Sequence, residues 1–164
     1  MKDLLIRLCE NADGVSSVLR SMDLTLLRRG RLVLNDRQLA KLLPILLPQE
    51  LRLSDVGITQ DGMIAVSAAW SGMTFRYRFR IEHLRIGNGN ADGAIAYHEE
   101  RSGAGVGSAI LGLTGKSGIA VALAGTKWAR TDDSRIYIRS QGLPQQCMVQ
   151  YEGISRGGLV FLIS

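Results

Sequence analysis

The chain has 164 residues, of which 46% are apolar and 21% are charged. Only three prolines are present, and the absence of a long polar tract argues against a disordered segment. This length suits one domain with a real core, which we predict over 1–164 as a helical segment (1–23) and a helix-and-sheet core (24–164). The net charge of +5 is either ordinary solubility charge or an attraction for anionic partners such as phospholipid headgroups or nucleic acid.

The cysteines and the N-terminus bear on the compartment. Cys9 and Cys147 are far apart in sequence and lie near apolar residues, so buried free thiols are favoured over a disulfide. Asp3, Arg7 and Glu10 interrupt the apolar run that a secretory signal needs. No apolar run reaches the 18 residues or so of a membrane-spanning helix. These features predict a cytoplasmic protein.

The first third of the chain predicts short helices, one strand and one longer helix. Apolar residues at roughly helical spacing over 3–20 indicate one or two short helices. Residues 24–34 predict a strand, and Asn35 and Asp36 offer an N-cap for the helix that follows. The apolar positions of that helix are Leu39, Leu42, Leu43, Leu46 and Leu47. Pro44 should kink or shorten it, because proline removes a backbone donor.

Residues 50–100 predict an antiparallel meander. Asp61 and Gly62 favour a tight hairpin turn, since both tolerate positive φ angles. The alternation changes phase near His83, which predicts a β-bulge there, and the Gly- and Asn-rich residues 87–93 predict a loop. The predicted strands cover 51–58, 63–70, 73–86 and 94–99.

The predicted strand over 73–86 separates apolar from basic side chains. Alternation places one apolar set on a single face: Phe75, Tyr77, Phe79 and Ile81. The opposite face carries Arg76, Arg78 and Arg80, about 6.6 to 7 Å apart. These arginines form either a solvated outer face or a stripe that contacts an anion. Because Tyr77 lies on the other face, basic and aromatic groups do not interleave, and no nucleic-acid partner is expected.

Residues 105–124 are open to two interpretations. Their apolar positions favour a second helix, although three glycines weaken it, and the alternative is a hairpin that turns at 116–118. The glycine-rich runs 103–108 and 112–117 each lack a glycine that a nucleotide-binding loop requires. The remaining predicted strands cover 135–139, 147–151 and 159–163.

No residue set predicts catalysis, a cofactor or a metal site. The two histidines, His83 and His98, have acidic neighbours that alternation sends to opposite faces. Aspartates such as Asp61 and Asp132 fall at predicted turns, where they bond the local backbone. The sequence therefore predicts a binding protein and not an enzyme.

The order of elements resembles the tubular lipid-binding superfamily, which includes the bactericidal/permeability-increasing-type domains. Residues 30–43 (GRLVLNDRQLAKLL) carry the likeness, as a strand, a cap and a leucine-rich helix, and the resemblance spans 24–163. It implies an α+β fold in which a strongly bent antiparallel sheet, a meander, wraps around one or two helices. An apolar groove would then lie between helix and sheet.

Two hypotheses for function follow. The resemblance implies a lipid or another apolar ligand, bound by Leu39, Leu42, Leu43, Leu46, Phe75, Tyr77, Phe79 and Ile81. If side chains fill that space, the same residues form an ordinary core. The alternative is a structural or assembly protein that docks an acidic partner or an anionic membrane through Arg76, Arg78 and Arg80. Exposed strand edges would also favour a homodimer.

Overall fold

The computed structural model describes residues 12–46, 52–70, 73–102, 117–124, 126–141, 148–155 and 158–164. More than half of this part of the chain lies in strands and about a quarter in helices. The described helices are α1 (Ala12–Arg20), α2 (Leu24–Arg28), α3 (Asp36–Leu46) and α4 (Gly118–Leu123). The described strands are β1 (Arg31–Asn35), β2 (Arg52–Ile58), β3 (Ile64–Trp70), β4 (Met73–Gly87), β5 (Asn90–Ser102), β6 (Ala129–Thr131), β7 (Arg135–Gln141), β8 (Val149–Ser155) and β9 (Gly158–Ile163).

All nine of these strands belong to one antiparallel open sheet, in the order β1-β9-β8-β4-β5-β7-β6, and β2 and β3 form a branch from β4. The antiparallel sheet is as predicted, but the protein is mostly sheet and not a balanced α+β fold. No described helix is long enough to run the length of the longest strand. The 11 residues of α3 extend only about 16 Å, whereas the 15 residues of β4 extend about 50 Å.

Tight turns connect neighbouring strands. The hairpin predicted at 60–62 joins β2 to β3, and Gly62 adopts the positive φ of 81° that this turn requires. A second turn joins β4 to β5 at Asn88 and Gly89, with φ values of 52° and 78°. Two consecutive positive φ angles permit a two-residue hairpin. The predicted loop over 87–93 was therefore too long, and β5 begins at Asn90.

The bulge predicted near His83 is present. The pairing of β4 with β5 shifts register between Ile81 and His83, so that Ile81 pairs with Ile95 and His83 with Ala94. The extra residue, Glu82, explains the change of phase in the sequence.

The strand predicted over 24–34 is correct only at its C-terminal end. Residues 24–28 form α2, because the Asp23 carboxylate accepts hydrogen bonds from the amides of Thr25 and Leu26 at 2.8 and 3.3 Å. A side-chain acceptor of this kind stabilises a helix start. The chain then passes through Gly30, whose φ is 70°, and β1 begins at the next residue.

The N-cap predicted for α3 is present and is reciprocal. Asn35 Oδ1 accepts from the amide of Gln38 at 3.1 Å, and Gln38 Oε1 accepts from the amide of Asn35 at 2.9 Å. Gln38 is buried, and its Nε2 also donates to the carbonyl and hydroxyl oxygens of Ser21, both at 3.1 Å. This capping box ties α3 to the end of α1. Pro44 lies inside α3.

Several predictions fall outside the described residues. They concern the two cysteines, the glycine-rich run 103–108 and most of the segment 105–124. Of that segment, the structure describes a six-residue helix, α4, over Gly118–Leu123. Within the described residues, no helix has both the length and the apolarity to cross a membrane.

Candidate functional site

The inner face of the sheet brings the predicted apolar set together. Phe75 and Tyr77 are 0% and 1% exposed, and their ring centroids lie 5.9 Å apart in a stacked arrangement. Leu39 is buried in the same cluster. The partly buried members packed against it include Leu42, Leu43, Phe79 and Ile81. The side chain of Leu46 lies outside the described part. Around Phe75 and Tyr77, therefore, side chains form a packed core.

A buried polar cluster, absent from the sequence expectations, lies on the same inner face. The Glu99 side chain is 5% exposed and pairs with Arg101. Glu99 Oε2 also accepts from the amide of Gly118 at 2.7 Å. The Tyr97 hydroxyl contacts Ser117 Oγ at 2.7 Å. Alternation alone indicates that Glu99 shares a face with Tyr97, but only the fold shows that α4 covers both.

The outer face of β4 carries the predicted basic residues. Arg76, Arg78 and Arg80, here called the arginine stripe, are all exposed. On β3, the paired neighbours of Arg76 and Arg78 are Ser67 and Ala65, which carry no charge. On β5, Arg76 pairs with Glu100 and Arg78 with His98. Within the part of the chain that the structure describes, no carboxylate forms an ion pair with the stripe.

One carboxylate that senses the stripe lies in the β2–β3 turn. There the pKa of Asp61 is lowered, first by the hydrogen bond from Thr59 and less strongly by the charges of Arg80 and Arg78. Asp61 is thus already engaged with Thr59, so the stripe remains a row of guanidinium groups open to solvent.

Two other acidic groups on the outer face have partners of their own. Glu82 binds Arg135, with 3.1 Å between carboxylate and Nε, and this contact raises the pKa of Arg135. Asp92 Oδ2 lies 3.1 Å from His83 Nε2. Such exposed pairs contribute little stability, but they leave fewer carboxylates to neutralise the stripe.

A groove of about 900 Å³ opens between β5, β6 and β7, and we call it the β6–β7 groove. The polar, charged and aromatic side chains that line it comprise two aromatic residues, three basic residues and a histidine–aspartate pair: Trp128, Tyr137, Lys127, Arg130, Arg139, His83 and Asp92. Sequence reasoning did not find it, because β7 pairs with β5 across more than thirty intervening residues.

Tyr137 is the central aromatic residue of this groove and is 42% exposed. Its hydroxyl donates to Asp132 Oδ2 at 3.0 Å, which raises the pKa of Tyr137. Asp132 Oδ1 in turn accepts from the amides of Ser134 and Arg135, and these bonds, led by that of Ser134, lower the pKa of Asp132. The ring is therefore both exposed and held in one orientation.

Comparison with known proteins assigns no family. No protein-family model, curated protein or solved structure matches the chain. Among the described residues, no group of three or more histidine, cysteine or acidic side chains is arranged to hold a metal ion. The case for function therefore depends on the geometry of the two sheet faces.

Proposed function

We propose that this protein is a non-enzymatic binding domain that docks an anionic partner through the outer face of its sheet. The observation that carries the proposal is the arginine stripe, three exposed guanidinium groups that form no ion pair with a carboxylate among the described residues, although Glu100 on β5 lies opposite Arg76. The inner face supports the proposal indirectly, because its aromatic residues pack in the core and are not exposed to a partner.

The energetics favour an anionic partner. Like charges about 7 Å apart repel by about 0.6 kcal/mol in water, so the free stripe is tolerated only because it is solvated. Close to an anionic surface, each arginine instead contributes about 1 kcal/mol of attraction. This attraction is screened over about 8 Å at physiological ionic strength, so binding should weaken steeply as salt is added.

The test is charge reversal with a matched control. A stripe variant carries Arg76→Glu, Arg78→Glu and Arg80→Glu, and a helix variant carries Arg20→Glu, Arg28→Glu and Arg37→Glu. All six arginines are exposed, so both variants undergo the same change in net charge. Sedimentation with phosphatidylserine vesicles and retention on immobilised polyglutamate measure binding, and thermal melting measures folding.

We expect the stripe variant to lose about 100-fold in affinity for the polyanion it recognises, with an unchanged melting temperature. The helix variant should keep most of its binding. Equal losses in the two variants would show that net charge alone is responsible. Undiminished binding by the stripe variant would also refute the proposal.

A second candidate function is binding of a lipid or another apolar ligand. The observation in its favour is that α3 packs against β2 with apolar side chains that remain partly exposed, among them Leu42, Leu43 and Leu53. An apolar ligand would cover them, as the resemblance to the tubular lipid-binding superfamily implies. That resemblance also implies a sheet bent around the helices.

Native mass spectrometry of freshly purified protein tests this candidate. An added mass that leaves on denaturation and is recovered by lipid extraction would support it. A clean mass of the chain alone, together with no binding of a fluorescent fatty acid, would exclude it.

A further inference from the structure

The strand registers place basic and aromatic side chains in rows across the outer face. His83, Ala94, Tyr137 and Arg130 are paired in one continuous row over β4, β5, β7 and β6. The next row contains Arg85, Asp92 and Arg139. Neighbouring strands lie about 4.8 Å apart, and successive same-face residues lie about 7 Å apart. Arg130 therefore lies beside Tyr137 and Arg139 lies one same-face position away, both within reach of a single nucleotide.

The tyrosine ring is suited to stacking. Its hydroxyl is fixed by Asp132 at 3.0 Å, so little side-chain entropy is lost when a planar group packs on the ring. Base–aromatic stacking contributes about 1 to 3 kcal/mol per base in proteins that bind single strands. Trp128, partly buried against the core, lines the same groove and adds a second aromatic surface.

The charges around the ring suit phosphate groups. Lys127, Arg130 and Arg139 line the groove, and no ion pair involves any of the three within the described ranges. The acid of the groove, Asp92, is paired with His83 at 3.1 Å. The groove thus combines free cations with an aromatic platform, which is how sequence-tolerant single-strand binders contact their ligand.

The groove continues into the arginine stripe along β4. From Arg76 to Arg85 the strand extends about 30 Å, and the basic side chains over this length share the outer face with Tyr137. The carboxylates of Glu82, which is paired with Arg135, and of Glu100, which lies opposite Arg76, share that face. A track of this length exceeds one nucleotide and suits the several nucleotides of a typical single-strand site. We propose that the β6–β7 groove and the stripe together bind single-stranded nucleic acid, with phosphates along the arginines and a base on Tyr137.

This proposal depends on the proposed function, because the stripe supplies half of the track. It names the partner: an acidic protein or a membrane surface would use the cations but offers no set of planar bases to stack on Tyr137. The sequence argument against nucleic acid considered β4 alone, where Tyr77 faces inward. The β6–β7 hairpin adds the outward-facing aromatic residue that β4 lacks.

Fluorescence anisotropy with labelled oligo-dT tests the proposal in the full chain. Tyr137→Ala should weaken binding roughly tenfold or more, the equivalent of one stacked base, whereas Tyr137→Phe keeps the ring and should bind almost as well as the unaltered protein. Arg130→Glu combined with Arg139→Glu should also weaken binding and lower the salt dependence. Circular dichroism establishes whether each variant folds. If Tyr137→Ala does not fold, the double variant Arg130→Glu, Arg139→Glu provides the test.

The outcomes separate the two proposals. If the protein binds polyglutamate or phosphatidylserine vesicles through the stripe but not oligo-dT, this inference is wrong and the docking function stands. Equal affinity for oligo-dT and its duplex, or full binding by both groove variants, also overturns the inference. If no polyanion binds, both proposals fail.

Discussion

The carboxylate of Glu99 accepts a hydrogen bond from the backbone amide of Gly118, with 2.7 Å between Oε2 and N. The bond joins the inner face of β5 to the first residue of α4. A carboxylate this far from water is tolerated only when it is paired and hydrogen-bonded, and Arg101 supplies the charge partner. These contacts hold α4 against the inner face of the sheet.

Removing the hydroxyl group of Tyr97 or of Tyr77, both close to Glu99, should have different effects on the stability of the protein. Tyr97 bonds to Ser117 Oγ and to the carbonyl of Asp132, at 2.7 and 2.9 Å, so Tyr97→Phe should destabilise the protein by about 1 kcal/mol. The Tyr77 hydroxyl is buried and forms no hydrogen bond in the described part of the chain, although after burial the nearby Glu99 carboxylate also raises its pKa. Tyr77→Phe removes an unsatisfied group and should leave stability unchanged or increase it. Urea unfolding measures both.

The matched pair is its own control, because each substitution deletes one oxygen from an aromatic residue of the same core. A larger loss for Tyr77→Phe than for Tyr97→Phe would contradict this account.

The approach of α4 to β4 predicts that Gly118 tolerates no side chain. A Cβ atom there would lie 2.7 Å from both Phe75 Cε1 and the Tyr77 hydroxyl, and neither fully buried ring has room to move. Gly118→Ala should cost about 1 to 3 kcal/mol, as overpacking of a core does. Thermal melting measures the loss.

Gly57→Ala provides the control for this prediction. Gly57 also lies in a regular element, β2, but a Cβ atom there meets nothing within 4 Å. Its melting temperature should be unchanged or slightly raised, since alanine suits a strand interior better than glycine does. Comparable losses for the two variants would show that the contact with Phe75 and Tyr77 is not responsible.

The features that could be predicted from the sequence are those fixed by residues close together in the chain. The cap at Asn35, the turn at Gly62 and the bulge near His83 each depend on fewer than about five consecutive residues. The alternation in β4 likewise separates the buried Phe75 and Tyr77 from the exposed arginines. Local stereochemistry is sufficient for all of these.

The features that could not be predicted depend on pairing between distant segments. Glu99 has the sequence signature of a surface acid, and its burial results from α4, which begins 19 residues later. Nothing in the sequence distinguishes Tyr137 from other strand tyrosines. The pairing of β7 with β5 and β6 places it between Ala94 and Arg130, in the row that also contains His83. Residues 24–28 were misassigned for a different reason, because the side chain of Asp23 starts a helix there.

The four tyrosines of the chain predict instability in base. Burial raises the pKa of Tyr77, Tyr97 and Tyr151 above the ordinary value of 10, and the hydrogen bond to Asp132 does the same for Tyr137. In the unfolded chain these hydroxyls ionise near 10, before they do in the folded one. The stability is therefore fully present below that pH and is lost as the pH rises toward the folded pKa values.

We expect tyrosinate absorbance and the loss of the sheet signal in circular dichroism to rise together in one cooperative transition above pH 10. Tyr137→Phe should remove only the most exposed of the four chromophores and leave the transition in place, because the other three are more buried. Titration of all four tyrosines near pH 10 in a chain that stays folded would contradict the packing described for the inner face. It would mean that water reaches Tyr77 and Tyr97, and that α4 does not cover them in solution.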